Sequence, residues 1–409
     1  MTDMLEDKKI LKTVEKILSE YCLCDNCLGR LFSKAKKGAS NKEIGIYLRK
    51  KTSFNKKIKP IDCELCQGLF IEVEHFCKLI LDSLKGYEFD TFLIGCKVDE
   101  DIIEKENELI TFIKSKYFES IKNELNRNIG LKLEKKLDKL VNFEKPDIMI
   151  ILDTSFDFIK LQISSLFIYG RYKKYTRDMP QTKWFCKICY GKGCRKCNYN
   201  GKIYENSVEE LVSKEMIRIT KGTDESFHGA GREDVDVRML GTGRPFVLEI
   251  KNPKIRSINL DVLKEKINIS YKDLIEIDNL RFSDRKEIAR IKNAGFRKTY
   301  RVVIKSDTIL NNEKLKKVSS SLQGSNINQL TPSRVAHRRA DMVRQKYVYN
   351  CIVESVEDTI AILSLETESG TYVKELVTGD NGRTKPSITE IIGSPCKVVE
   401  LDVIAIKGE

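Results

Sequence analysis

Four Cys-x-x-Cys pairs constrain this chain more than any other feature of its sequence. They account for eight of its thirteen cysteines: Cys24/Cys27, Cys63/Cys66, Cys186/Cys189 and Cys194/Cys197. Two such pairs together supply the four thiolates of a tetrahedral zinc site. Because four thiolates leave no open coordination position, the spacing predicts one or two structural zinc ions and no catalytic metal.

The two tetrads differ in the distance between their pairs. In the first tetrad, 35 residues separate Cys27 from Cys63, and CDNCLGRLF and CELCQGLF share a Cys-x-x-Cys-x-Gly pattern that favours one common site. In the second tetrad only four residues separate Cys189 from Cys194. So short a connection needs a tight path, which Gly191 and Gly193 permit. The alternative for the second tetrad is a geometry too cramped to close around an ion.

The charge of the chain points to a polyanionic partner. Lysine and arginine number 73 against 60 acidic residues, which gives a net charge of +13. Nucleic acid is the commonest partner for such an excess, and a lysine-rich solvated surface is the alternative. No apolar run approaches the roughly 18 residues of a membrane span, and the charged start MTDMLEDKKILK lacks a signal core. We therefore expect a cytoplasmic protein.

The order of apolar patterns predicts an α+β chain of several domains. Helical periodicity covers 8–21, and strand-like and helical segments alternate over 89–170, which indicates an α/β unit. The charged helical region 105–140 is expected to break near 128–130. After residue 208, long β-rich runs predict a mostly antiparallel sheet with helices packed on it.

A segment that mixes basic and aromatic side chains, GRYKKYTRDMPQTKW, precedes the second tetrad. Such a mixture suits phosphate contacts combined with base stacking, so we expect it to bind RNA. The alternative is a surface linker anchored by its aromatic rings. Its candidate RNA-binding residues are Arg171, Lys173, Lys174 and Arg177.

The segment HGAGREDVDVRMLGTGRPFVLEI, residues 228–250, concentrates charges between glycines: Arg232, Glu233, Asp234, Asp236, Arg238 and Arg244. Glycines around a charged cluster favour a loop, and nearby arginines keep an aspartate ionised. Such a carboxylate can act as a nucleophile or a base on an anionic substrate. The alternative is a salt-bridged turn without chemistry.

Several segments together resemble the tRNA pseudouridine(54/55) synthase family of archaea and eukaryotes: CDNCLGRLF, FIYGRYKKYTRDMPQTKW, GREDVDVRMLGTGRPFVLEI, GFRKTYRVVIKS, QLTPSRVAHRRADMVRQK and SGTYVKELVTGDNGRTKPS. The resemblance implies a zinc-knuckle module at 1–75 and a THUMP-like RNA-binding domain at 76–185. It implies a pseudouridine synthase domain at 186–409 that begins with the second tetrad. This domain would carry a mixed, mostly antiparallel sheet flanked by helices.

The same resemblance implies roles for individual residues. Asp234 would be the catalytic aspartate, Tyr300 the tyrosine that stacks on the target base, and Lys374 the cation paired with the aspartate. Tyr372 would face the substrate. Independently of the resemblance, the charge of Arg232 suits contact with the phosphate beside a flipped nucleotide. For Tyr300 the alternative is an ordinary core aromatic residue. Arg334, Arg338 and Arg339 would bind the RNA backbone, the alternative being a solvated helix face.

The activity implied is the isomerisation of uridine to pseudouridine at positions 54 and 55 of the TΨC loop. Isomerisation adds no atom and changes no oxidation state, so no organic cofactor is expected. The expected partner is tRNA, bound by a monomer, with the THUMP-like domain on the acceptor end. The alternatives are a zinc-stabilised, non-catalytic tRNA-binding protein or another THUMP-containing tRNA-modifying enzyme.

Overall fold

The computed structural model describes residues 4–36, 38–54, 56–114 and 117–408, apart from the side chain of Arg338. The chain divides into two compact units, Met1–Ser164 and Ser165–Glu409. Each unit has its own cluster of buried apolar side chains. Among the described helices, none combines the length and apolarity needed to cross a bilayer.

The first unit places a four-stranded sheet beside helices. Its helices are α1 (Lys8–Glu20), α2 (Asp25–Arg30), α3 (Asn41–Lys50), α4 (Val73–Ser83), α5 (Glu100–Ile113) and α6 (Ile121–Leu137). Its strands are β1 (Thr91–Lys97), β2 (Leu140–Val141), β3 (Ile148–Asp153) and β4 (Phe158–Ile163), in the order β2-β1-β3-β4. Strand β1 runs parallel to β2 and β3, whereas β4 is antiparallel to β3.

The predicted helix break near 128–130 was wrong. Helix α5 ends at Ile113, and α6 continues through Gly130 to Leu137. Gly130 is buried, and a Cβ there would lie 3.7 Å from Ile94 on β1, so the helix packs closely on the sheet. Burial of Ile129 and Leu133 on the same helix outweighs the intrinsic cost of about 1 kcal/mol for a glycine in a helix.

The second unit is built on a larger mixed sheet. Its helices are α7 (Val208–Thr220), α8 (Leu260–Ser270), α9 (Arg285–Asn293), α10 (Asn312–Leu322), α11 (Val373–Thr378) and α12 (Ile388–Ile392). Its strands are β5 (Leu166–Lys174), β6 (Asp224–Gly229), β7 (Arg238–Lys251), β8 (Ile275–Ser283), β9 (Arg297–Ser306), β10 (Ser325–Leu330), β11 (Val343–Glu357), β12 (Ile360–Thr367), β13 (Thr384–Lys385) and β14 (Cys396–Lys407).

The strand order in this sheet is β13-β10-β11-β12-β9-β14-β7-β5-β8, and β6 also pairs with β7. Among the described strand pairs of this sheet, only β14 and β7 run parallel. The prediction of a mixed, mostly antiparallel sheet with helices is therefore confirmed. Residues on β9 alternate between buried and less buried positions, so Lys298, Tyr300, Val302 and Ile304 share one inward face.

The compact units divide at residue 164, whereas we expected the catalytic domain to begin at residue 186. The division falls within the segment 156–170, whose two halves lie in different sheets. Strand β4 pairs with β3, whereas β5 lies between β7 and β8. Ile168 and Tyr172 on β5 are fully buried in the core of the second unit, which explains why this strand belongs there.

Candidate active site

A cavity of about 720 Å³ in the second unit contains the residues singled out from the sequence. Asp234, Tyr300, Tyr372, Lys374 and Arg232 all line it. They come from the loop before β7, from β9 and from the start of α11. Arg232 and Lys374, which are 142 positions apart in sequence, therefore line the same cavity.

The loop that carries Asp234 is anchored by its neighbour Glu233. This glutamate is buried, and its carboxylate lies 2.9 Å from Nε of the fully buried Arg244. The hydroxyl of Tyr172 donates hydrogen bonds of 2.8 and 2.9 Å to the same carboxylate. Because a buried charge is stable only when it is paired, these contacts hold the loop firmly beside the cavity.

Two cations contact the Asp234 carboxylate. Nη1 of Arg334 lies 3.2 Å from Oδ2, and Nζ of Lys374 lies 3.3 Å from the same oxygen. Each cation also has a second acidic partner: Arg334 donates a 2.7 Å hydrogen bond to Glu375, and Lys374 donates 2.8 Å hydrogen bonds to both oxygens of Asp236. The structure thus brings Lys374 to Asp234 as the resemblance implied, and it adds Arg334.

The electrostatics of this cluster favour ionised groups. Burial lowers the pKa of Arg334, but the hydrogen bond to Glu375 and the charges of Glu375 and Asp234 raise it above its ordinary value. Burial raises the pKa of Asp236, but the hydrogen bond and the charge of Lys374, together with its own backbone amide and the charge of Lys174, outweigh burial and lower it. These contacts therefore favour the ionised forms of Asp236 and Arg334.

Tyr300 and Tyr372 present aromatic rings to the same cavity. Tyr300 is only 8% exposed, and burial raises its pKa to about 12, so its hydroxyl remains protonated. The backbone of Tyr372 is fixed by two 2.9 Å hydrogen bonds with the side chain of the buried Gln329. The hydroxyl of Tyr372 accepts a 2.7 Å hydrogen bond from Arg339.

The basic segment expected to bind RNA has internal partners instead. Lys174 is fully buried and donates hydrogen bonds to the backbone oxygens of Met179 and Val235, at 2.7 and 2.9 Å. Arg177 donates a 2.8 Å hydrogen bond to the backbone oxygen of Asp236. Both side chains therefore brace the loop that carries Asp234, and burial of Lys174 excludes it from RNA contact.

The other predicted RNA-binding residues differ in their placement. Arg171 donates hydrogen bonds to the backbone oxygens of Thr242, Gly243 and Ile406, and Lys173 lies 2.8 Å from Glu276. Arg339 is exposed at the cavity, whereas the side chain of Arg338 lies outside the described residues. Arg232 is exposed, and its guanidinium lies 5.1 Å from the centre of the Trp184 ring.

The first cysteine tetrad lies in the first unit and could hold a metal ion. The four sulfur atoms of Cys24, Cys27, Cys63 and Cys66 lie within 4.8 Å of one another, and all four residues are buried. The backbone amide of Cys24 donates to Cys63 Sγ at 3.3 Å, and that of Cys27 donates to Cys24 Sγ at 3.4 Å. Four converging sulfurs that accept amide hydrogen bonds fit a thiolate metal site.

The second tetrad has the same ligand arrangement on a tighter backbone. The sulfur atoms of Cys186, Cys189, Cys194 and Cys197 also lie within 4.8 Å of one another. Gly193 has a φ of +89°, and a Cβ there would lie 2.7 Å from the backbone oxygen of Tyr199. Glycine therefore permits the short connection, and this tetrad could hold a metal ion as well.

Comparisons with known proteins identify the class of this site. A family model described as "Pus10, C-terminal" matches residues 167–407, and one described as "Pus10 THUMP domain, archaeal" matches residues 76–153. The chain is thus a pseudouridine synthase, an isomerase with a THUMP domain.

Full-length relatives define the family more closely. The chain is 41% identical to "tRNA pseudouridine synthase Pus10" of Methanocaldococcus jannaschii, covering 96% of this chain and 93% of that protein. It is 35% identical to the protein of the same name from Methanothrix thermoacetophila, covering 100% and 96%, and 35% identical to that of Halorubrum lacusprofundi, covering 98% and 97%. The chain belongs to the Pus10 family.

Proposed function

We propose that this protein isomerises uridine to pseudouridine at positions 54 and 55 in the TΨC loop of tRNA, with Asp234 as its catalytic carboxylate. The observation that carries the proposal is the meeting of Asp234, two cations and the Tyr300 ring around one cavity. The printed name of the relatives, tRNA pseudouridine synthase, supports tRNA as the substrate.

The cluster suits a reaction at the ribose of a flipped nucleotide. The glycosidic bond between N1 of uracil and C1′ of the ribose must break. The uracil ring must then rotate and bond to C1′ through C5. The carboxylate of Asp234 can act on the ribose or take its 2′ proton, and the contacts with Arg334 and Lys374 orient it. Tyr300 offers a face on which the extruded base stacks.

The RNA backbone would follow the exposed rim of the cavity. Arg232 and Arg339 are exposed there and can contact phosphates on either side of the flipped nucleotide. The THUMP domain, matched at 76–153, would hold the acceptor end of the tRNA, as the sequence suggested. No organic cofactor is needed, because the product is an isomer of the substrate.

Zinc is the metal we propose for both tetrads. Four thiolates that converge on one point favour a tetrahedral Zn²⁺ site. They leave no coordination position for water, so each ion would be structural. Within the second tetrad, Gly193 and Gly201 donate amide hydrogen bonds to Cys189 and Cys197, which stabilises thiolate charge.

The second tetrad also presents an exposed basic and aromatic tip. Tyr190 and Tyr199 are 80% and 71% exposed, and the segment 186–203 contains no acidic residue. Its exposed cations are Lys187, Lys192, Arg195 and Lys196. We propose that this tip contacts tRNA, since exposed aromatic rings among cations stack on bases and bind phosphates.

Replacing both tyrosines, Tyr190→Ala with Tyr199→Ala, is expected to weaken tRNA binding about tenfold or more, because a stacked base contributes roughly 1–3 kcal/mol. The dissociation constant for tRNA, measured at one fixed salt concentration, checks this. The zinc content should not change. Ile309→Ala, which removes an exposed apolar side chain elsewhere in the unit, is the control. An unchanged dissociation constant for the double variant would contradict a role for the tip.

A direct assay tests the proposed function. The purified protein, without added cofactor, is incubated with an unmodified tRNA transcript, and pseudouridine is mapped by chemical modification and primer extension. Pseudouridine at positions 54 and 55 is expected, and transcripts with cytidine at either position should lose only that signal. If no pseudouridine forms at either position, the proposed function is refuted.

A further inference from the structure

A buried lysine in the catalytic cavity has no role in the cluster described so far. Lys298 lies on β9 two residues before Tyr300, on the same inward face, and lines the same cavity. The residue is 8% exposed. No hydrogen bond or ion pair joins its ammonium to any described residue. A buried cation without a partner is costly, which suggests that a ligand supplies the partner.

The surroundings of Lys298 offer no free negative charge. Glu233 is near but is paired with Arg244, and Lys346, on β11, is paired with Glu368. Burial, with the positive charges of Arg244 and Lys346, lowers the pKa of Lys298 to about 7, although Glu233 acts in the opposite direction. Tyr300, the other titratable group on this face of β9, stays neutral.

The ammonium lies close to the loop that carries Asp234. A Cβ at Gly231, whose φ is +80°, would lie only 3.0 Å from Nζ of Lys298 and 3.2 Å from Nη1 of Arg244. Glycine at 231 therefore permits both the left-handed backbone and its close approach to the lysine. Gly231 precedes Asp234, which carries the proposed catalytic carboxylate, by three positions.

We propose that Lys298 donates a hydrogen bond to a carbonyl oxygen of the flipped uracil and stabilises the negative charge that the ring carries when it leaves C1′. This inference rests on the proposed function, because it assigns a contact to the same substrate. Lys298 would thus be a further catalytic residue for base cleavage, distinct from the cations that contact Asp234.

The position of Lys298 favours the base over a phosphate. Side chains two residues apart on one strand face project side by side, so a ring stacked on Tyr300 has its edge within reach of Lys298. The phosphates stay on the backbone of the RNA, near the rim, where Arg232 and Arg339 are exposed. The buried ammonium of Lys298 is therefore placed to contact the base, which is the part of the nucleotide that enters the cavity deepest.

The chemistry requires such a cation and no co-reactant. When the N1–C1′ bond breaks, its electron pair remains on the ring and spreads onto the carbonyl oxygens. C5 then forms the new bond to C1′, C5 loses its proton, and N1 takes up one proton. Atoms and charge balance. A donor aimed at a developing oxyanion in a site that excludes water acts mainly on the transition state.

Two substitutions test the inference in the full-length protein. Lys298→Met is expected to lower kcat on unmodified tRNA about 10²-fold, as removal of an oxyanion donor does, with little change in tRNA binding. Lys298→Arg keeps a cation and should retain more activity than Lys298→Met. Lys305→Met, an exposed lysine of the same strand, is the matched control and should behave as the unmodified protein.

The pH profile gives a readout that a structural role would not produce. Because the pKa of Lys298 is lowered to about 7, its ammonium loses its proton as pH rises through that value. The kcat/KM of the unmodified protein should therefore fall on the alkaline side of about pH 7, since it reports the free enzyme. Lys298→Arg should lack this descending limb, because a guanidinium stays charged.

The outcomes separate this inference from the proposed function. An unmodified protein that forms no pseudouridine refutes the function itself. An active protein whose Lys298→Met variant keeps full kcat overturns the inference alone. A raised KM with unchanged kcat also overturns it, and assigns Lys298 to the RNA backbone. If Lys298→Met does not fold, the descending limb and its loss in Lys298→Arg decide the question.

Discussion

Asp234→Asn is expected to lower kcat for pseudouridine formation at least about 10³-fold while tRNA affinity stays within about threefold. The amide keeps the shape of the side chain but can neither attack the ribose nor accept its proton. The local structure should survive, because Arg334 and Lys374 keep their second partners, Glu375 and Asp236. Single-turnover rates and the dissociation constant for unmodified tRNA measure the two quantities separately.

Asp236→Asn is the matched control for this experiment. Asp236 lies two residues away and accepts hydrogen bonds from the same Lys374, but its side chain is 59% exposed and lies outside the group that lines the cavity. Its amide variant should lose no more than about tenfold in kcat, the effect of an indirect electrostatic change. If Asp234→Asn stayed active and Asp236→Asn did not, the catalytic role would pass to Asp236.

A local sequence pattern was enough to single out several residues that the fold brings together. Asp234 stands in a glycine-bounded cluster of charges, and the cysteine tetrads follow a ligand spacing with few alternatives. The large antiparallel sheet was predictable because long β-rich runs dominate the chain after residue 208. In each case the signal lies within a short window of sequence.

The partners of the basic residues were not predictable in this way. Arg177 lies 3.0 Å or less from carboxylate oxygens of Glu400 and Asp402 on β14, more than 200 residues away in sequence. A basic segment shows how many cations are present, whereas their partners depend on which strands become neighbours. Composition therefore suggested RNA contacts where the fold uses the cations to brace a loop.

The contact of Arg334 with Asp234 was not predictable from the sequence either. It lies in a run of arginines that we interpreted as a face for the RNA backbone, yet its guanidinium lies 3.2 Å from Asp234. Its position depends on Glu375 at the start of α11, and on Ser333, whose amide donates a 2.8 Å hydrogen bond to Asp380. A pairing that joins two distant loops leaves no periodic signal in the sequence.

Cys66→Ser is expected to remove the metal from the first tetrad and to destabilise the first unit. Structural zinc contributes about 10–16 kcal/mol of binding free energy to small zinc-dependent folds, so losing one ligand should cost several kcal/mol. For a unit of this size, a loss of about 4 kcal/mol lowers the melting temperature by roughly 8–16 °C. Calorimetry and the zinc content per chain measure the effect.

The environment of the first tetrad explains why its metal should matter to the whole unit. Arg30 is fully buried, donates a 3.7 Å hydrogen bond to Cys27 Sγ, and is ion-paired with Glu106 on α5 and Glu124 on α6. Thiolate charge held by the metal helps balance this buried guanidinium, whose pKa is raised by Cys27 and both glutamates against the effect of burial. Losing the metal therefore disturbs contacts that reach both helices.

Cys22→Ser provides the control, because Cys22 is exposed and lies next to the knuckle without belonging to the tetrad. It should keep two zinc ions per chain and an unchanged melting temperature, whereas Cys66→Ser should keep only the ion of the second tetrad. A Cys66→Ser protein with two zinc ions and full stability would contradict a structural metal at the first tetrad. In that case the buried charge of Arg30 must be balanced by Glu106 and Glu124 alone.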